Sequence, residues 1–334
     1  MDETWWRREG TQKRGFRYVG VNGRELTSAA TLERIRKLVI PPAWTDVHIS
    51  PDPERKIQVF GWDVAGRKQY RYSAGHVAKV DRRKWRRVLR TARLLPDLRA
   101  ATNEHLSREG LDREKVLATV VRLMARAYFR SGSERYAVEN QTFGICTLSK
   151  RHVKVQGNNI VFRYIGKRSK HQRQVVADTP LVEVIEQLLA QPGARLFKYP
   201  VKKGRRTVYR PVTAGAVNRY LLELLEGERC TSKDLRTFGG TVRAATILAD
   251  IGPAGSAAEA KRNVAITCKL VASELGNTPT ICRKAYIHPA VLEEYEQAGR
   301  TAGMGAPRRG VLAKEPVGWY PEEAALVRFL ERYG

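Results

Sequence analysis

Gly276-Asn277-Thr278-Pro279-Thr280-Ile281-Cys282-Arg283-Lys284-Ala285-Tyr286-Ile287-His288-Pro289 is the stretch from which the rest of the chain reads most clearly. Just ahead of it, Val264, Cys268, Val271 and Leu275 recur at spacings of four, three and four, so Lys261 to Leu275 reads as an amphipathic helix. Gly276 suits the C-terminal stop of that helix. Thr278 then suits an N-cap with Pro279 at the first helical position, and a second helix starts at once. Tyr286 lies about two turns into it, before His288-Pro289 breaks the run. A tyrosine on a short helix is ordinarily core, but this one keeps the company of Asn277 at a tight turn and of Arg283 and Lys284.

Further upstream, Thr231-Ser232 suits the cap of a helix beginning Lys233-Asp234-Leu235-Arg236, with Arg236 in its first turn. A buried arginine is costly unless it meets an anion. Lys167 occupies the turn Gly166-Lys167-Arg168 between the second and third strands of a small sheet. That sheet reads as Val153–Val155, Ile160–Ile165 and Gln174–Val176. Arg130 follows an apolar helix, in Tyr128-Phe129-Arg130-Ser131-Gly132. Helices are expected over Arg113–Phe129, Thr179–Ala190 and Thr213–Leu225, with this one sheet interrupting them. Taken singly, each of these charges reads as a surface residue.

Composition narrows the partners. The 334 residues suggest two domains. With 61 basic against 34 acidic residues the chain carries +27, and its pI is near 10.3. A hydrophobic fraction of 42% is enough for a folded core, so the charge points to a polyanion, double-stranded DNA first. No run approaches the 18 or so apolar residues that span a bilayer, and acid near the N-terminus does not suit a signal peptide. A soluble, cytoplasmic, nucleoid-associated protein is expected, with no membrane partner. Cys146, Cys230, Cys268 and Cys282 lie far apart, without a zinc knuckle or disulfide framework. There is no Walker-type loop and no metal-holding acidic cluster, since Asp46, Asp52 and Glu54 surround a Pro-Asp-Pro turn. Phosphate chemistry here would therefore use no cofactor, neither metal nor nucleotide.

The charge is clustered. Arg67 to Arg99 holds twelve Lys/Arg against two Asp; Asn140 to Ala177 holds eight and no acid; Arg195 to Arg210 holds seven and no acid. Three such stretches in foldable sequence suggest an electrostatic groove for backbone phosphates. The N-terminal third reads as β-rich: Gly15–Gly20, an Asn22-Gly23 hairpin turn, Lys56–Trp62 and Gln69–Tyr72, with a helix over Thr31–Leu38. Tyr70 and Tyr72 share one face and Arg71 the other, so the tyrosines are either core or a DNA-facing aromatic strip. Asp81 to Leu95 reads as an Arg-rich helix ending at Pro96. That places the boundary between a β-rich domain, 1–95, and a helical domain, 96–334. The fold class is α+β.

Together these motifs resemble the type IB DNA topoisomerases, in their compact poxvirus and bacterial form. The resemblance rests on Tyr128-Phe129-Arg130-x-Gly132, Gly166-Lys167, Lys233-Asp234-Leu235-Arg236-Thr237, and Gly276-Asn277-Thr278-Pro279 ahead of Lys284-Ala285-Tyr286. In the first domain it rests on Asp52-Pro53, Lys56-Ile57-Gln58-Val59 and Gln69-Tyr70-Arg71-Tyr72. It implies the tyrosine recombinase/topoisomerase IB catalytic fold and a nucleophilic Tyr286 that forms a 3′-phosphotyrosyl link. It also implies Arg130 and Arg236 as clamps on the phosphate and Lys167 as general acid. Asn277 stands where the viral enzymes carry histidine; an amide still donates a hydrogen bond but shuttles no proton. A lysine crowded by Arg130 and Arg168 would suit the acid role.

The resemblance further implies relaxation of supercoiled DNA without ATP or metal, by a monomer that clamps the duplex as a C between its domains. Tyr70, Tyr72, Arg67, Lys68, Arg71 and Lys233 are the expected DNA contacts. A tyrosine recombinase or integrase is the nearest alternative. It is disfavoured by Lys233, where recombinases place histidine, and by the β-rich front domain. A non-catalytic architectural DNA-binding protein fits the charge but gives no reason for the ordered motifs. Trp319-Tyr320 and a helix from Pro321 to Leu330 suggest packing in the tail, and His288 reads as a helix-ending residue rather than a base.

Overall fold

The computed structural model describes residues 4–299 and 317–333. The acidic start and the first half of the tail lie outside the described residues. The chain packs as two units, Met1–Lys84 and Trp85–Gly334.

In the first unit β1 (Trp6–Thr11) and β2 (Gly15–Val19) form a hairpin, followed by α1 (Ala29–Lys37). Then β3 (Thr45–Ile49), β4 (Ile57–Trp62) and β5 (Lys68–Tyr72) complete an antiparallel sheet of order β2-β1-β3-β4-β5. The hairpin pairs Thr11 with Gly15, so its turn is not at Asn22-Gly23. That second turn only brings Glu25 back to bridge Val19. Its core is small: Ile35, Val47, Ile49 and Val59 are buried, with Trp5 set edge-on against Phe60 at 4.9 Å.

The helix α2 (Ala74–Ser107) contains the division between the units. It does not end at Pro96, and the reason is specific. A proline lacks the N–H that would bond the carbonyl four residues back. Here that carbonyl, Ala92 O, accepts instead from Trp319 Nε1 at 2.7 Å. Three residues on, Arg99 is held by Glu323 through two bonds of 2.8 and 2.9 Å. The tail thus repairs the proline's defect and packs as expected.

The second unit continues with α3 (Arg113–Ala127), α4 (Glu134–Glu139) and a three-stranded antiparallel sheet. Its strands are β6 (Val153–Gln156), β7 (Asn159–Gly166) and β8 (Lys170–Ala177). After α5 (Thr179–Ala190) comes a second hairpin, β9 (Lys198–Lys203) and β10 (Arg206–Pro211), which the sequence reading lacked. Its charged, exposed strands show no buried face to betray them. Then follow α6 (Ala214–Leu224), α7 (Ser232–Ile251), α8 (Ala257–Leu275), α9 (Pro279–Ala285), α10 (Pro289–Ala298) and α11 (Pro321–Leu330). The helices α3 and α7 are buried over most of their length and pack together. A helix covered on all sides holds its side chains rigidly, which suits the placement of a site at its ends.

Candidate active site

Four segments meet: the exit of α3, the first turns of α7, the α8–α9 turn and the end of α9. Tyr128 closes α3 in the left-handed region (φ 54°), a strained choice for a non-glycine residue. The loop beyond it is fixed by the N–H groups of Ile145 and Cys146, which donate to Arg130 O at 2.8 Å and Ser131 O at 2.9 Å. Arg130 then reaches the α8–α9 turn, donating to Gly276 O at 3.2 Å and to Asn277 Oδ1.

Arg236 sits in the second turn of α7, since Thr231 caps that helix through Asp234 and Ser232 opens it. Arg236 is 4% exposed, and no carboxylate among the described residues bonds its guanidinium. Its Nη1 donates to Tyr128 O and its Nη2 to Leu275 O, tying the exits of α3 and α8 together. Burial, and then the charge of Arg130, lower its pKa from the usual arginine value to about 10, while the Tyr286 phenol opposes the shift.

Tyr286 ends α9, half-buried, with Arg236 5.3 Å from its ring centroid. Its carbonyl accepts from Thr241 Oγ1 at 3.3 Å, and that hydroxyl accepts from His288 N at 3.1 Å. Two consecutive glycines of α7 make room. A Cβ on Gly240 would lie 2.8 Å from Tyr286 O, and one on Gly239 would lie 2.2 Å from the Tyr128 ring. Glycine within a helix costs roughly 0.5–1 kcal/mol each, so close approach is what these positions supply.

Two donors in this cluster are orphaned. Arg236 Nε and Asn277 Nδ2 are buried and have no hydrogen-bond partner. The Tyr286 phenol and the Cys282 thiol lie close to them, outside good bonding geometry. Each buried, unmade hydrogen bond costs about 1–3 kcal/mol. Two guanidiniums without a carboxylate, two idle donors and a phenol make a site that can hold a tetrahedral anion beside a nucleophile.

Of the residues singled out in the sequence, the structure brings together Arg130, Arg236, Asn277 and Tyr286. Lys167 makes no hydrogen bond with any of them. Lys167 stands exposed at the β7–β8 tip. Its hairpin is nonetheless anchored to the cluster. Lys170 Nζ donates to Asn277 O at 3.1 Å. The Gln172 side chain lies between two glycines: a Cβ on Gly276 would be 2.4 Å from its Oε1, and one on Gly166 2.8 Å from its Cγ. The left-handed φ of Gly276 (61°) adds a second demand for glycine there. Lys170, Gln172 and Thr241 went unnoticed in the sequence, where only the glycines beside Gln172 carried a signal. His288 caps α10 by accepting from Ala290 N at 3.3 Å and sets its ring edge-on to Trp85, a structural task.

Among the expected DNA contacts, Tyr70 and Tyr72 prove exposed, not core, with rings stacked 6.1 Å apart on β5. Lys68 Nζ lies 4.0 Å from the Phe60 ring centroid, and Arg71 donates to Val39 O. Arg67 is paired with Asp63 at 2.8 Å, which weakens its claim to a phosphate. Lys233 is exposed on the first turn of α7.

The class this fold and site define is also found by comparison. Residues 68–304 match the catalytic core of eukaryotic DNA topoisomerase I, and residues 15–63 match the N-terminal domain of bacterial DNA topoisomerase IB. The chain is 30% identical to DNA topoisomerase 1B of Acanthamoeba polyphaga mimivirus over 84% of each protein. It is 25% identical to DNA topoisomerase 1B of Vaccinia virus (strain Copenhagen) over 78% of this chain and 81% of that one. The crystal structure of the XerH site-specific recombinase bound to difH overlaps 60% of this chain and 51% of its own, at 15% identity and a TM-score of 0.34. The chain belongs to the type IB DNA topoisomerases.

Proposed function

We propose that this type IB topoisomerase relaxes supercoiled duplex DNA by transesterification through Tyr286, with no need of ATP or a metal ion. The observation that carries the reading is the pair of idle buried donors, Arg236 Nε and Asn277 Nδ2, beside a phenol and two uncompensated guanidiniums. A phosphodiester entering there satisfies both donors and meets cations that lower its repulsion of the nucleophile.

In the cleavage step the bond from Tyr286 Oη to phosphorus forms as the bond from phosphorus to O5′ breaks. Arg130 and Arg236 hold the non-bridging oxygens, where rigid forks suit the charge that builds in the transition state. The phenolic proton passes to solvent, and Lys167 supplies one to O5′, a strongly basic leaving group. Asn277 donates a neutral hydrogen bond and plays no acid–base part. The phosphodiester energy is kept in the tyrosyl link, so attack by the 5′-hydroxyl restores the strand. Between the two steps the free end swivels. One nick suffices, which fits a monomer. Lys233 and the Tyr70–Tyr72 face supply backbone contacts, and the enzyme works wherever duplex DNA is held.

The test is relaxation of supercoiled plasmid in EDTA without nucleotide. The wild type relaxes it, and Tyr286→Phe binds DNA equally but leaves it supercoiled. Relaxation by Tyr286→Phe removes the tyrosine from the mechanism. Binding without relaxation by both proteins returns the chain to an architectural role.

A further inference from the structure

The outer face of the β6–β7–β8 sheet carries a second basic feature that the Tyr286 site does not use. Side chains alternate along β7, so Phe162 and Tyr164 face the core while Arg163 and Ile165 face outward. The register sets Arg163 directly opposite Arg173 on β8, and Ile165 opposite His171. Like charges facing each other across an antiparallel pair are destabilising, typically by a few tenths to about 1 kcal/mol. Nothing relieves this pair: Arg163 and Arg173 are exposed, and neither side chain is in an ion pair or hydrogen bond with any described residue. Arg151 approaches from the turn before β6, its one hydrogen bond going to His152 Nε2 at 3.4 Å. These three arginines, with His152, Ile165 and His171, line one shallow pocket to which no carboxylate contributes.

A fold that keeps three guanidiniums around one concavity, two of them in direct repulsion, tolerates the arrangement at lower cost when an anion occupies it. Arginine forks fit phosphate oxygens in particular. We infer that this pocket is a binding site for sugar-phosphate backbone, engaging phosphates of duplex DNA other than the one Tyr286 attacks. The inference rests on the DNA-binding reading above, and it adds about three phosphate contacts from a face outside the catalytic cluster.

The test is the salt dependence of duplex affinity in the Tyr286→Phe background, where binding is free of cleavage. Each phosphate contact contributes roughly 0.9 to the slope of log affinity against log salt. Replacing Arg151, Arg163 and Arg173 by Gln should flatten the slope by about two to three, while the triple Lys replacement should keep most of it. A control removes the same charge from Arg93, Arg108 and Arg113, which already face Glu331, Asp112 and Glu223. It should change the slope by less than about one. Should the triple Gln protein lose its thermal transition, the single exposed change Arg173→Gln serves, with a slope lower by roughly one.

An unchanged slope, or one no flatter than the control's, overturns the inference. Stabilisation by millimolar pyrophosphate that needs the three arginines, with the DNA slope unchanged, assigns the pocket to a free small anion and overturns it too. Failure of the underlying reading looks different, since plasmid relaxation by Tyr286→Phe, or no DNA binding at all, marks that instead.

Discussion

The two halves of the proposed catalytic machinery are built on different plans. Arg130 and Arg236 are locked: their guanidiniums bond backbone carbonyls at the exits of α3 and α8 and an amide oxygen in the α8–α9 turn. Lys167 is presented in the open, at the tip of a hairpin that is tied to the α8–α9 turn through Lys170, three residues on. The chemistry accounts for the contrast. A group that must receive an anion gains by being fixed and desolvated beforehand, because no reorganisation is then left for the transition state. A compact, strongly hydrated ammonium on a flexible stem is costly to bury without a partner. In the proposed mechanism its proton is wanted only as O5′ departs, so an exposed position on a hairpin suits that role.

The largest effect that tests this contrast is that of Arg236→Ala. The change removes a proposed clamp on the phosphate and strands two buried carbonyls, Tyr128 O and Leu275 O. Single-turnover cleavage should fall on the order of 1,000-fold, and urea unfolding should show a loss of about 2–4 kcal/mol. If cleavage fell while stability held, the arginine would not be the structural tie described here, and the two halves would no longer differ in kind.

Lys167→Ala should behave in the opposite sense. Cleavage should drop on the order of 100-fold, with stability unchanged within about 0.5 kcal/mol, as for other exposed sites. A duplex carrying sulfur in place of the bridging O5′ sharpens the point. A thiolate is a far weaker base than an alkoxide and leaves without being protonated; a cysteine thiol, for scale, has a pKa near 8.5. Lys167→Ala should therefore cut this duplex as fast as the wild type does, while Arg236→Ala should remain slow on it. A Lys167→Ala defect of equal size on both duplexes would move the lysine from leaving group to phosphate.

How much of this was legible in the sequence follows the same division. Arg130, Arg236, Asn277 and Tyr286 stand in short motifs whose caps, stops and glycines are local, and the structure assembles them as expected. Part of what sequence did not disclose depends on partners far along the chain. Pro96 reads as a stop because its own neighbourhood says so, and only Trp319 reaching Ala92 O overrides it. The β9–β10 hairpin shows no alternation because both of its faces are largely exposed. Arg67 looked free among its basic neighbours although its partner, Asp63, stands only four residues back across a turn. The anchoring of the Lys167 hairpin was invisible because its partners lie about a hundred residues away: Gln172 and Lys170 are ordinary polar strand residues until Gly276 and Asn277 are brought to them.

That anchoring supports the smallest predicted effect and the one most able to refine the contrast. Gln172 shares the core-facing side of β8 and pairs with Tyr164 across the ladder. It occupies the space that two absent Cβ atoms leave between the hairpin and the α8–α9 turn. Gln172→Ala empties that space without touching either arginine, so the hairpin should lose its register with the turn while the phosphate clamp stays intact. A displacement of about an ångström in a catalytic group costs up to roughly 100-fold, and with Lys170 still bonded to Asn277 O a loss nearer tenfold is expected. The loss should appear on the ordinary duplex and vanish on the 5′-sulfur duplex, because only delivery of the lysine has been disturbed. Gln172→Met, which refills the space without the amide, should recover most of the rate. An equal loss on both duplexes would mean that the glutamine steadies the Asn277 side of the cluster. The hairpin and the arginine centre would then be one rigid body, and the difference in plan between them would disappear.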